Sequence, residues 1–479
     1  MNLQQWCQID ERIYVAESDE RYKQYAGLKY SEQLIEKLAE MKFASAKMFT
    51  DNFSQPRELF VSSLDNIADS STKKLELKMF NLRNAKIVSK HKFGNSPVNW
   101  STWRQFNSAQ KDAGKRKEVF DEFIKKTKHL SPVIQERFDK ISKVYDTYSD
   151  GKLSPLDGYL ENEKFSKSQL LSFVKSMGKA AKKPFRGALA EMSEKVLGRP
   201  AEYFDDFYFF RNRIYADLEK YFSKTDPVGQ VRNTLSSMQF DLSRINIDAE
   251  NRKEKYPSPI CFFVHVPEDI RVLYKAESAY FDLQGCYHEM GHAIHATSID
   301  PKQEYWNRYG FSMGIAEIFS IFLERLTKNK RYLASIGISD KNALDELHRR
   351  NNFMELFFVT FYTANSIMKA EYWSKGLSME EASDRYGKLI KEYTGLEMPG
   401  EYWMLHHIMP DAIMYVPSYL VAAVRAAELE ALLKNRFGEE WWTQAESGRE
   451  IREIMSPGAA IDLSRFSKMD SSLFLGEIT

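Results

Sequence analysis

Residues 286–299 read Cys-Tyr-His-Glu-Met-Gly-His-Ala-Ile-His-Ala-Thr-Ser-Ile. Within them, His288-Glu289-Met290-Gly291-His292 forms an HExxH pattern. On a helix, positions i and i+4 share a face, so both imidazoles can reach one zinc ion. The carboxylate of Glu289, next to the first histidine, then falls beside the metal's open position. There it can take a proton from a water whose pKa zinc brings to about 7. Histidine is scarce, 9 residues in 479, yet three fall within the eight positions 288–295. A chance match on an ordinary helix predicts no such clustering. The segment Ala279–Ser298 also has helical patterning and no proline.

Such a zinc ion needs a third protein ligand. The metzincin pattern would place glycine at 295 and histidine at 298, where this chain has His295 and Ser298. The ligand is therefore sought among the downstream acids Glu304, Glu317 and Glu324. Glu304 follows Pro301 in a polar stretch and reads as a loop residue. Glu317 lies in the strongly apolar segment Ser312–Leu326, where a buried carboxylate needs a partner such as a metal. It follows His292 by 25 positions (317 − 292). Glu324 reads as an acid on a neighbouring face. Glu317 is the expected ligand, and Glu324 is the alternative. His295, three residues past His292 and near the same face, leaves three readings open: a fourth ligand, a neighbour of the site or a core histidine. No residue stands out as the orienting partner of His288, because Ile321 occupies the position one turn past Glu317.

The elements that must carry these residues are mostly helical. Apolar residues recur at three- and four-residue spacing over Ser31–Phe53, Ser101–Lys126, Ser131–Tyr148 and Lys167–Leu197. Only 22 glycines and 15 prolines punctuate the chain, so long helices are the natural reading. Two segments instead suggest strands. Pro259–Val266 and Ile270–Tyr274 are rich in β-branched and aromatic residues, with Pro267-Glu268-Asp269 as the turn between them. This hairpin lies just upstream of the histidine motif, and its edge can pair with an extended peptide. Aromatic residues become dense after Arg199-Pro200. That change places a boundary between an N-terminal helical region, 1–198, and a catalytic domain, 199–479.

Lys and Arg total 68 against 67 Asp and Glu, a net charge of +1. No global field is available to draw the chain to nucleic acid or to a membrane surface. No run approaches the roughly 20 apolar residues of a membrane span. Three cysteines, Cys7, Cys261 and Cys286, make no disulfide framework and no CxxC pair. They point to a reducing compartment, the cytoplasm. Cys261 and Cys286 read as small buried hydrophobes. The opening Met1–Val15 has no signal-peptide pattern.

The segment His288-Glu289-Met290-Gly291-His292-Ala293-Ile294-His295, followed by Ile315-Ala316-Glu317, resembles the thimet oligopeptidase and oligoendopeptidase F family of zinc metallopeptidases, the gluzincins. Its HEMGH core also looks like that of the angiotensin-converting-enzyme relatives. Asn251–Val266 is similar to the family's basic loop leading into an active-site strand. The resemblance covers roughly residues 200–440. It implies a mainly α, two-lobed helical metallopeptidase with a small antiparallel β-sheet next to the HExxH helix. It implies one zinc ion per chain, held by His288, His292 and Glu317.

A second cluster, Leu405–Leu420, holds His406 and His407 and then Tyr415 and Tyr419 at i, i+4 spacing. Pro417 fits the first turn of a helix beginning nearby. In the resembling family a late histidine followed by paired tyrosines donates hydrogen bonds to the tetrahedral intermediate. The resemblance carries that role to Tyr419, then Tyr415, then His407, with His406 the alternative to His407. Packing in the core is the competing reading for the tyrosines.

The reading is a zinc endopeptidase acting on unstructured oligopeptides, with Glu289 as the base. Zinc exopeptidases, carboxypeptidase or dipeptidase, are the nearest rival. A non-catalytic zinc-fold peptide-binding protein is a more distant one, since it has no need of Glu289.

Overall fold

Polar caps open several of the helices. Asn2, Ser31, Ser154, Ser166 and Ser378 each accept a hydrogen bond from a backbone N–H of the first turn, which satisfies an otherwise orphaned donor. The computed structural model describes every residue except Glu277, Ser278 and His407, and every described side chain but those of Arg211 and Asn212. The chain is mainly α-helical, as expected.

The first elements are α1 Leu3–Tyr25, α2 Glu32–Asn52, α3 Arg57–Lys86, β1 Val88–Phe93, β2 Ser96–Asn99, α4 Trp103–Ala109, α5 Ala113–Lys126, α6 Ser131–Tyr148, α7 Pro155–Glu163 and α8 Lys167–Leu197. There follow the single turn α9 Asp206–Tyr208, α10 Pro227–Ser237, β3 Ile245–Asp248, β4 Ile260–His265, β5 Asp269–Leu273, α11 Ala279–Ser298, α12 Tyr305–Tyr309 and α13 Met313–Glu324. The chain ends with α14 Lys330–Ser335, α15 Lys341–Lys375, α16 Met379–Thr394, α17 Val416–Phe437, α18 Ala445–Met455 and α19 Ser471–Ile478.

The helices read from Ser131–Tyr148, Lys167–Leu197 and Ala279–Ser298 take those same bounds. The expected helix over Ser101–Lys126 is instead two, α4 and α5. Gln110 is extended (ψ 111°), and Asp112 accepts from the N–H of Lys115 at 3.2 Å to start α5 afresh. Contacts divide the chain into two compact units, each discontinuous in sequence. One comprises Met1–Ser70, Leu218–His348 and Val421–Phe474; the other comprises Ser71–Asp217, Arg349–Leu420 and Leu475–Thr479. Each unit joins segments distant in sequence.

The first unit carries a three-stranded sheet ordered β3-β5-β4. β4 and β5 form the expected hairpin, with Phe263 opposite Ile270 and Cys261 opposite Val272. The sheet is mixed and not wholly antiparallel, because β3 pairs with β5 in parallel. β3 has only four residues, and its partner lies more than twenty positions downstream, so no hairpin pattern announces it. Strand alternation divides the hairpin between two helices. Phe262 packs its ring 5.7 Å from those of Tyr22 and Tyr25 on α1. Phe263, on the opposite face, lies 6.4 Å from the ring of His292 on α11.

The loop before β4 is pinned to the end of α1. Arg252 Nε donates to the Ala26 carbonyl at 2.7 Å, and Tyr256 N–H to that of Tyr25 at 2.8 Å. Gly27 turns there with φ 66°, and a Cβ would lie 2.9 Å from the backbone of Glu254 and Lys255. The buried Lys255 Nζ pairs with Asp248 at 2.9 Å, and Arg252 pairs with the same carboxylate. Two cations of this basic loop, Arg252 and Lys255, are therefore neutralised within the fold.

Candidate metal centre

The helix α11 is built to be buried on one side. Leu283, Cys286, Tyr287, Met290 and Ile294 recur at helical spacing and are all buried. The Tyr332 hydroxyl lies 2.7 Å from Thr234 Oγ1 and also bonds the hydroxyl of Tyr287, which ties α11 to α10 and α14. Gly291 lets α13 approach. A Cβ there would stand 2.3 Å from the Phe319 carbonyl oxygen and 2.6 Å from the Ser320 Cα, both on α13. The glycine inside the histidine motif is thus a packing requirement.

That approach brings the third donor in. Ser312 caps α13 by accepting from the Ile315 N–H at 3.2 Å. Ile315, Ile318, Phe319, Phe322 and Leu323 bury one face of the helix. Glu317 is only 3% exposed. Its Oε2 lies 3.4 Å from His288 Nε2 and 3.7 Å from His292 Nε2. The ligand-type atoms of the three residues all fall within 4.8 Å of one another. Ser320 Oγ donates to the same Glu317 oxygen at 2.9 Å.

The far side of the His288 imidazole is also engaged. Glu324 Oε2 sits 3.0 Å from His288 Nδ1, and Lys328 Nζ is 2.8 Å from the other Glu324 oxygen. His292 hydrogen-bonds the Ala316 backbone. Burial opposes a charge on His288, yet its hydrogen bonds to Glu317 and Glu324 outweigh that and raise its pKa well above the ordinary value. Burial dominates at His292 and lowers it. Burial would also raise Glu324, but the charge of Lys328 and the bond to His288 pull its pKa down to about 2.

This donor set suits zinc. The two imidazoles turn both Nε2 atoms toward one carboxylate oxygen. Two nitrogens and one oxygen on a packed pair of helices match the ligand types and number of a catalytic zinc site.

Glu289 is half-buried on α11, close enough that its charge adds to burial in raising the thiol pKa of Cys261 on β4. Cys286 is fully buried. Glu304 precedes α12, outside the cluster. Glu324, read as an acid on a neighbouring face, is the partner of His288 that could not be named from the sequence. The available signal was its spacing: seven positions past Glu317 is two turns, hence the same face. His295 is fully buried between the rings of Phe311 and Phe319, at 5.0 and 4.5 Å. Among the described residues neither of its ring nitrogens finds a hydrogen-bond partner. It lies outside the donor cluster.

Tyr415, Tyr419 and His406 belong to the second unit. The two tyrosine rings lie 5.1 Å apart, and Tyr362 stacks on Tyr419 at 5.5 Å. Pro417 sits in the first turn of α17, as expected. His406 is buried, and its Nδ1 accepts the N–H of Ile408 at 3.2 Å. His407 lies outside the described residues.

No protein-family model and no curated protein sequence matches this chain. Among solved structures it is similar to an M32 carboxypeptidase from Deinococcus radiodurans R1, at 14% identity and a TM-score of 0.62. The match covers 99% of this chain and 97% of that one. At this identity the likeness is one of fold, and it extends over the whole chain. No helix among the described residues is long and apolar enough to cross a membrane.

Proposed function

We propose that the chain is a zinc-dependent peptidase with one metal held by His288, His292 and Glu317. The observation that carries this reading is the pair of Nε2 atoms at 3.4 and 3.7 Å from one buried Glu317 oxygen, with Glu289 between the two histidines in sequence. Zinc, when bound, supplies a positive charge that polarises a peptide carbonyl and acidifies a water.

The chain's own residues do the rest. Glu289 takes the proton of the attacking water and passes it to the leaving amine. Glu324 holds the His288 proton on Nδ1 and so keeps Nε2 available as a ligand. β4 is an outer strand of its sheet, and that edge suits pairing with an extended peptide. The tyrosine hydroxyls of Tyr419 and Tyr415 donate to the oxyanion, with His407 assisting. That role is carried from the resemblance in the sequence. Substrates are unstructured oligopeptides, and the compartment is the cytoplasm.

The motif residues favour internal cleavage. The whole-chain likeness to a carboxypeptidase favours a second reading, removal of the C-terminal residue. Peptides blocked at both ends separate the two. Their cleavage supports the endopeptidase, and cleavage only of peptides with a free C-terminus supports the carboxypeptidase. Glu289→Gln, which keeps the shape and loses the base, is expected to retain zinc and abolish either activity. A zinc-loaded parent that cleaves no peptide would leave only a binding protein.

A further inference from the structure

The loop between His406 and Tyr415 is held by four side chains from three helices of the second unit. Lys369 Nζ, on α15, donates to the Met409 carbonyl at 2.7 Å. Trp373 Nε1, on the same helix, donates to the Ile413 carbonyl at 2.9 Å. Arg137 on α6 reaches the Pro410 carbonyl at 3.4 Å, and Arg83 on α3 pairs with Asp411 at 3.2 Å. These carbonyls, outside any helix or strand, thus find their donors in side chains.

The α15 contacts share a direction. Phe358, Tyr362, Lys369 and Trp373 follow one another at spacings of four, seven and four, so they line one helical face. Tyr362 stacks on Tyr419 with an interplanar angle of 14°, and Phe358 meets the same ring edge-on. The segment from Met409 to Tyr419 is therefore laid along that face. Lys369 and Trp373 hold its start, and Tyr362 holds its end.

Lys369 is the unusual member. It is 2% exposed, with its amine 3.9 Å from the ring centroid of Phe138 and 5.4 Å from that of Trp373. Among the described residues it is paired with no carboxylate. Burial pushes its pKa well below the ordinary value. A methionine would fill the same space without burying an amine, so packing alone does not call for lysine. What only the amine supplies is a fixed place for the Met409 carbonyl.

We propose that Lys369 is a positioning residue that, with Trp373, sets where the 409–413 loop lies along α15 and thereby where Tyr415 and Tyr419 present their hydroxyls. The inference rests on the peptidase reading and on the role it gives those tyrosines.

The test is steady-state kinetics on zinc-loaded Lys369→Met, Trp373→Phe, Tyr419→Phe and the double variant Lys369→Met/Tyr419→Phe, with melting temperature and zinc content measured on the same preparations. Lys369→Met is expected to lower kcat about 10- to 100-fold, the scale of an ångström-sized misplacement. KM and zinc content should stay near those of the parent. The double variant should fall little below Tyr419→Phe alone, because Lys369 acts through that hydroxyl. Trp373→Phe keeps an aromatic ring and loses the donor, so it should show a smaller fall in kcat. It carries the test if Lys369→Met does not fold.

A lowered melting temperature with parental kcat in both loop variants would overturn the inference, as would independent, multiplicative losses in the double variant. A parental kcat in Tyr419→Phe would remove the tyrosine role, and the positioning role with it. A parent without hydrolysis would instead refute the peptidase reading itself.

Discussion

Glu324 Oε2 lies 3.0 Å from His288 Nδ1, while Glu317 Oε2 lies 3.4 Å from Nε2 of the same ring. One helix, α13, therefore grips both nitrogens of one imidazole with carboxylates seven positions apart. An acceptor at Nδ1 holds the proton there and leaves the Nε2 lone pair for a metal. Lys328 and His288 keep Glu324 ionised despite its burial.

Glu324→Ala should therefore weaken zinc binding about 10- to 100-fold, the usual range for an orienting partner. Glu317→Ala should weaken it far more, since it removes a donor atom. Competition against a zinc chelator of known affinity measures both. Equal affinity in Glu324→Ala and the parent would mean that the His288 contact orients nothing.

The close approach at Gly291 makes a second prediction. A methyl group placed 2.3 Å from the Phe319 carbonyl oxygen cannot be absorbed by a side-chain rotation, because the obstacle is backbone. Gly291→Ala should push α13 away and lower stability by about 1–3 kcal/mol, in the range of overpacked cores. It should also carry Glu317 off its position and reduce zinc affinity. Chemical denaturation and chelator competition on the same variant check both effects. Unchanged affinity would show that the donor set tolerates a shift of the helix.

His295 predicts the opposite behaviour. Burial lowers its pKa to about 3, so it is neutral. Two buried nitrogens without partners are a penalty that an apolar side chain of similar size avoids. His295→Leu should match or exceed the parent's melting temperature and keep its zinc and its hydrolysis. Loss of zinc in a folded His295→Leu protein would place this histidine in the metal site.

The parts of the molecule that follow from local patterning were legible in the sequence. α11 begins and ends where its apolar spacing does, and the hairpin beside it turns at Val266-Pro267-Glu268, one residue earlier than read, with Asp269 already in β5. Glu317 could be singled out because an acid in an apolar helix demands a partner. Features that depend on distant segments were not legible. β3 finds its parallel partner only once the hairpin exists. The compact units join stretches hundreds of residues apart. The role of Glu324 needs the packing angle of α13 on α11, which rests on one glycine. His406 and His407 looked equivalent as neighbours in sequence, yet His406 turns inward to accept backbone N–H groups of its own loop.

One metal at His288, His292 and Glu317 is expected to support peptide hydrolysis. The direct measurement is a zinc titration of chelator-stripped protein, with peptide cleavage followed at each addition. Activity should be absent at the start, rise in proportion to added zinc and level off at about one equivalent per chain. Full cleavage by the zinc-free protein, or no cleavage after one equivalent has bound, would contradict the account.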